Sequence, residues 1–184
     1  IGAGRFDAAL IGSGWDSSMV AFVEVLAREC ASRGTPLIAD AGAVVGVKEW
    51  AAKNPLVIAT PHVGEAQRMF SQFGVEAPAA QITSDIPGHA AHLAELTGAI
   101  IVLKSADTAV ATPQGQTYLF TAPTAWGAAA GAGDILAGVI TALVAARVAE
   151  GAGNAAKPTA NALAPAVAAA VGLHGVAAGR ASGV

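Results

Sequence analysis

The chain has 184 residues, which suits one domain at the usual length of roughly 100–200 residues. It is 54% hydrophobic and 12% charged, against about 25% charged in typical soluble domains. Apolar material is therefore ample for a large core, and the sparse charge points to close-packed elements or to burial in an oligomer. A net charge of −3 with no basic run argues against a nucleic-acid partner.

Cys30 is the only cysteine, so no internal disulfide framework exists, and the usage suits a reducing cytoplasm. No basic segment with a cleavage site opens the chain. Ile1 is not an initiator Met, and the expectation is a chain that begins inside a longer protein.

In chain order, "DAALIG" (7–12) reads as a buried strand, and Ser17 or Ser18 can cap a helix that Gly34 stops after Arg33. "PLIAD" (36–40) is a second strand and 44–53 a short helix. "LVIAT" (56–60) is a third strand, followed by a helix over "PHVGEAQRMFSQFG" that ends at Gly74. Pro78 and Pro87 mark loops, with helix over 88–97 up to Gly98. "AIIVLK" (99–104) is a fourth strand, and "TAVAT" and "TYLFT" around "PQGQ" form a hairpin.

Residues 133–149 then make a long apolar helix. The stretch 158–179 carries no formal charge and is long enough to span a bilayer. Yet Pro165, Asn161, His174 and three glycines interrupt it, and Leu163, Val167 and Val171 form one stripe. It reads as a packing helix that covers this sheet or a neighbour's, not as a membrane span. Strands alternating with helices imply a single domain over 1–184 with a mostly parallel α/β sheet and helices on both faces. Ligands bind such sheets beyond the carboxyl ends of the strands. That rule picks out Gly12 to Gly14, Asp40, Thr60 to His62 and Lys104.

Four stretches carry chemistry. In "GAGD", Gly131 and Gly133 let the backbone approach a ligand, and a helix N-terminus offers free N–H groups to a phosphate. Asp134 is the only formally charged residue between Asp107 and Arg147. It can cap the helix or serve as a general base beside the phosphate cradle. A buried, unpaired carboxylate would be costly to the fold. Capping accounts for Asp134 but not for the glycines.

In "TPHVGE" (60–65), His62 lies at the crevice as a structural or substrate-facing histidine. Glu65 either favours the helix dipole or helps hold Mg²⁺ through water. In "LKSADT" (103–108), Lys104 is a strand-terminal cation or part of a turn that holds nucleotide phosphates. "IGSGWD" (11–16) is a glycine turn, short of the full G-x-G-x-x-G dinucleotide fingerprint. His89 and His92 share a helix face with no further ligands nearby.

Taken together, "GSGWD", "ADAGAV", "TPHVGEAQRM", "LKSADTAVATPQG" and "GAGDILAG" resemble, in this order, the ADP/ATP-dependent NAD(P)H-hydrate dehydratases of the ribokinase-like superfamily. The family pattern is G-P-G-x-G, D-A-D, T-P-H-x-G-E, L-K-G-x-x-T and G-S-G-D-V-L-A-G. Here Ser13 and Asp16 depart from the glycine turn, Gly42 from the second Asp of D-A-D, and Ser105, Ala129 and Ala132 from the later motifs.

The resemblance implies a cytoplasmic metabolite-repair lyase that uses ADP or ATP with Mg²⁺ to restore NADH or NADPH from its hydrate. It implies substrate contacts at Gly14, His62 and Asp134, with Asp134 as the base. Nucleotide contacts would fall on Lys104, Ser105, Ala106, Asp107, Thr108 and Gly133. It also implies a homo-oligomer, a tetramer, and family members with further strands ahead of the point where this chain starts. The alternatives are a ribokinase-like kinase of a small alcohol or vitamin precursor, and a catalytically inactive nucleotide-binding module.

Overall fold

A computed structural model describes residues 6–12, 14, 19–121, 130–151 and 158–183. Ser17 and Ser18, the expected helix cap, lie outside the described residues, as do Ser13, Asp16 and Ala129.

Six strands form one sheet in simple chain order: β1 (Ala9–Ile11), β2 (Leu37–Ala39), β3 (Val57–Ala59), β4 (Ile100–Lys104), β5 (Asp107–Ala111) and β6 (Thr117–Thr121). The first four run parallel. The last three are joined by antiparallel pairings, with Lys104 opposite Thr108 and Ala111 opposite Thr117. The expected hairpin is thus present, and β5 begins at Asp107, immediately after the Ser105–Ala106 turn.

The helices are α1 (Val20–Arg33), α2 (Val47–Ala51) after a 3-10 turn over 41–46, α3 (Val63–Ser71), α4 (Ala79–Ser84), α5 (Ile86–Thr97), α6 (Ala132–Gly151) and α7 (Ala160–Ala181). Gly34 and Gly98 end α1 and α5 in the left-handed conformation (φ 66° and 74°), a backbone region where a Cβ is disfavoured.

Two expectations need correction. Pro78 and Pro87 are expected to mark loops, but α4 starts directly after Pro78 and Pro87 lies in the first turn of α5. Proline is at home there because the N–H it lacks would have no helical acceptor. The helix after His62 ends at Ser71, three residues short of Gly74.

Strand side chains alternate between faces, and the alternation builds two cores. Leu37, Ala39, Val57, Ala59, Ile101 and Leu103 pack with α1, α2, α3 and α5 on one face. Ile38, Ile58, Ile100, Val102 and Val110 pack under α6 and α7 on the other. Leu136, Ile140 and Val144 on α6 and Leu163, Val167 and Val171 on α7, each set spaced by four, are all buried in this second core. The α7 stripe therefore covers this chain's own sheet. By length and composition α6 and α7 could each cross a bilayer, but here they pack on each other and on the sheet.

Candidate active site at the carboxyl edge of the sheet

The alternation that builds the second core also builds the site. Two residues beyond Ile38, Ile58 and Val102, on the same face, stand Asp40, Thr60 and Lys104. Each follows or ends a parallel strand, so all three gather at the carboxyl edge beneath the start of α6. Lys104 Nζ donates to Asp40 Oδ1 at 2.7 Å, and the Thr60 hydroxyl donates to the same oxygen. Asp40 is only 3% exposed. A carboxylate this buried persists because it is paired and hydrogen-bonded.

Gly12 explains part of the glycine turn. It sits at φ 141°, and a Cβ there would lie 1.8 Å from the Asp40 carbonyl oxygen. Only glycine permits that approach. Gly14, at φ 72°, has open space on the side where a Cβ would stand, with no atom within 4 Å.

His62 and Glu65 form a capping box at the start of α3. His62 Nδ1 accepts from the N–H groups of Gly64 at 3.0 Å and Glu65 at 3.4 Å, while Glu65 Oε2 accepts from the His62 N–H at 2.9 Å. An Nδ1 that accepts carries no proton, so the ring proton is on Nε2, which lies 3.4 Å from Glu65 Oε1. The ring is 57% exposed and the Glu65 side chain 7%, so the histidine is open to solvent and Glu65 is committed to the helix. His62 is also bridged to Lys104 across the sheet, and the Lys104 N–H donates to the Pro61 carbonyl at 2.8 Å.

The start of α6 closes the site. Gly131, at φ 85°, accepts the first helical bond from Ile135 N–H at 3.1 Å. The N–H groups of 132 to 134 then fall in the turn that has no helical acceptors. A Cβ on Gly133 would stand 3.4 Å from Lys104 Nζ, so the ammonium and this turn share one small volume. Asp134 is exposed, and its carboxylate makes no hydrogen bond or ion pair with another described residue. It is neither a buried carboxylate nor a helix cap.

The structure thus brings Lys104 and Gly133 together, with His62 bridged to Lys104 and Asp134 next to Gly133 along α6. Ser105 and Ala106 form the β4–β5 turn, and Thr108 stands opposite Lys104 on the same face. Asp40 was legible as a strand-end residue, but its pairing with Lys104, 64 positions away, was not. His89 and His92 are elsewhere, both against the Phe70 ring.

Among the described residues no group of three His, Cys, Asp or Glu side chains gathers. Mg²⁺ in phosphoryl-transfer sites is typically held by one or two carboxylates plus the substrate's phosphates. The exposed Asp134 carboxylate in the first turn of α6 fits an ion that arrives on a nucleotide.

A mixed sheet, parallel from β1 to β4 and flanked by helices, with Asp40, Lys104 and the start of α6 at its carboxyl edge, is the architecture of a ribokinase-like α/β protein. A structure of a ribokinase-like superfamily protein from Enterococcus faecalis superposes on 92% of this chain and 54% of that one, with a TM-score of 0.68 and 26% identity. The chain belongs to the NAD(P)H-hydrate dehydratase family, whose model matches residues 2–183.

It is similar to ADP/ATP-dependent NAD(P)H-hydrate dehydratase from Bacillus subtilis, co-crystallised with ATP and Mg²⁺ (TM-score 0.71, 28% identity, 95% of this chain and 55% of that one). It is 36% identical over 144 residues to the bifunctional NAD(P)H-hydrate repair enzyme of Gloeobacter violaceus, covering 76% of this chain and 26% of that protein. It is 34% identical over 87 residues to ADP-dependent (S)-NAD(P)H-hydrate dehydratase of Neisseria meningitidis, covering 47% of this chain and 28% of that protein. The chain thus spans about half the length of these solved relatives and about a quarter of the curated ones.

Proposed function

We propose that this chain carries the nucleotide-dependent dehydratase chemistry of its family, acting on the S-epimer of NADH or NADPH hydrate with ADP or ATP. The observation that supports it most is Lys104 Nζ beside Gly133 at the start of α6, one residue from the exposed carboxylate of Asp134. That turn binds the nucleotide's phosphates through its N–H groups and dipole, with Lys104 as the counter-charge and the segment Lys104–Thr108 along the nucleotide. His62 and Gly14 line the hydrate side of the crevice.

Asp134 takes the proton from the hydrate's hydroxyl as that oxygen attacks the terminal phosphoryl group, and the shortened nucleotide leaves. The C–O bond to the new phosphate then breaks with loss of a neighbouring proton, which restores the dihydronicotinamide ring. Phosphate leaves far more readily than hydroxide, which is why a nucleotide is consumed. When bound, Mg²⁺ supplies charge neutralisation on the phosphates.

The setting we infer is cytoplasmic. The assembly is a homo-oligomer, with a tetramer as the family resemblance implies. Ile135 on α6 and Leu173 and Val176 on α7 are each more than half exposed, and in the oligomer we infer they are covered by a neighbouring copy.

The test of the activity incubates the chain with NADPH hydrate, ADP or ATP, and Mg²⁺. Return of NADPH absorbance in step with nucleotide consumption supports the reading. Nucleotide binding with no turnover favours the inactive module, and phosphorylation of a small alcohol without hydrate turnover favours the kinase.

A further inference from the structure

Lys104 has a task in the nucleotide reading, and Asp40 has none. Its carboxylate is nevertheless among the most firmly held groups at the site. The Asp40 N–H donates to the Ile11 carbonyl at 3.0 Å, and its own carbonyl accepts from Ala43 N–H at 3.0 Å. Gly12, just after β1, lies so close that a Cβ there would stand 1.8 Å from that carbonyl oxygen, and Thr60 donates to Oδ1. Lys104 is different: its ammonium rides on a flexible four-carbon stem with no fixed geometry of its own. A buried ion pair is a weak device for stability, since desolvation offsets most of the attraction. The location of this pair, against the first turn of α6, suits another purpose.

We propose that Asp40 is a positioning residue, which holds the Lys104 ammonium in place at the anion cradle before the nucleotide arrives. This inference rests on the nucleotide reading of the site. A preordered lysine spares the binding step the loss of its rotamer freedom, so an incoming phosphate meets a fixed charge. Without the Asp40 charge, Lys104 is ordered only as the ligand binds.

The effect of removing that charge is about three- to tenfold in nucleotide affinity, the cost of immobilising one long side chain. It is exerted only through Lys104. A double-mutant cycle reads this directly, with ADP and ATP titrated against the unmodified chain, Asp40→Asn, Lys104→Ala and the double variant. Asp40→Asn weakens binding in the presence of Lys104 and adds less than about twofold once Lys104 is gone. A merely structural role predicts the same loss in both backgrounds, and that result overturns the proposal. So does an affinity that is unchanged or tighter in Asp40→Asn. If Asp40→Asn leaves the ammonium uncompensated and the chain unfolded, Asp40→Glu keeps the charge, displaces it by one methylene and is read through the same cycle. No nucleotide binding by the unmodified chain sinks the nucleotide reading itself, and this inference with it. Binding that Asp40 substitutions leave untouched sinks the inference alone.

Discussion

His62 and Glu65 cap each other. The histidine ring accepts from the Glu65 N–H, and the Glu65 carboxylate accepts from the His62 N–H. The pair satisfies donors at the start of α3 that would otherwise be orphaned and fixes the ring's tautomer at the edge of the crevice. Glu65→Ala should therefore cost about 1–2 kcal/mol of stability, whereas Glu65→Gln should keep most of it, since Gln serves at the same capping position. Chemical denaturation of the two variants checks this, and a Glu65→Ala variant as stable as the parent refutes the capping role.

Asp134→Asn should abolish turnover while leaving folding and nucleotide binding largely intact. Removing a general base typically costs roughly 10²–10⁴ in rate. The exposed carboxylate makes no bond to another described residue, so the melting temperature should stay within a few degrees. Activity within a few-fold of the parent would remove Asp134 from the base role, and a large loss of stability would restore the capping one.

Gly133→Ala should move stability and binding in opposite directions. Alanine in a helix is favoured over glycine by up to about 1 kcal/mol, and among the described residues the added methyl would meet the Lys104 ammonium at 3.4 Å, an ordinary van der Waals contact. The same methyl narrows the space a phosphate needs. Calorimetric melting should show equal or greater stability, and titration should show weaker ADP and ATP binding. Unchanged affinity would place the nucleotide elsewhere.

Cys30 is fully buried, and burial first, with Glu29 adding to it, pushes its thiol from an ordinary 9.0 up to about 11. The folded state thus keeps a proton that the unfolded chain releases. The associated stability, on the order of 2–3 kcal/mol, is fully present below pH 9 and is lost as pH rises towards and through about 11. Denaturation from pH 8 to 11 should show this decline, and Cys30→Ala should flatten it. An equally steep decline in the variant would assign the effect to other groups.

Light scattering on the chain addresses the exposed faces of α6 and α7. A tetramer at micromolar concentration is the expected result, with Leu173→Asp and Ile135→Asp shifting it towards smaller species. A monomer would mean that these residues face solvent in the free protein.

By itself the sequence determined what depends on a few neighbouring residues. Short apolar runs specified β1 to β4, Gly34 and Gly98 specified where α1 and α5 stop, and the strand-end rule picked out Asp40, His62 and Lys104. These follow from backbone sterics and from side-chain periodicity, both of which act over one or two turns. Even there, Pro87 reads equally well as a loop residue and as the first turn of a helix, because proline suits both.

What only the tertiary structure decided is which distant residues meet. The parallel register carried Asp40 and Lys104 to one point across 64 positions. The packing of α6 over β1 and β2 set Gly133 against the ammonium and left Asp134 exposed. The burial of Leu163, Val167 and Val171 settled which sheet α7 covers. An amphipathic stripe states that a face must be buried but does not name its partner. A strand-end residue likewise acquires its role only when its neighbours across the sheet are in place, because charge pairing acts through space and not along the chain.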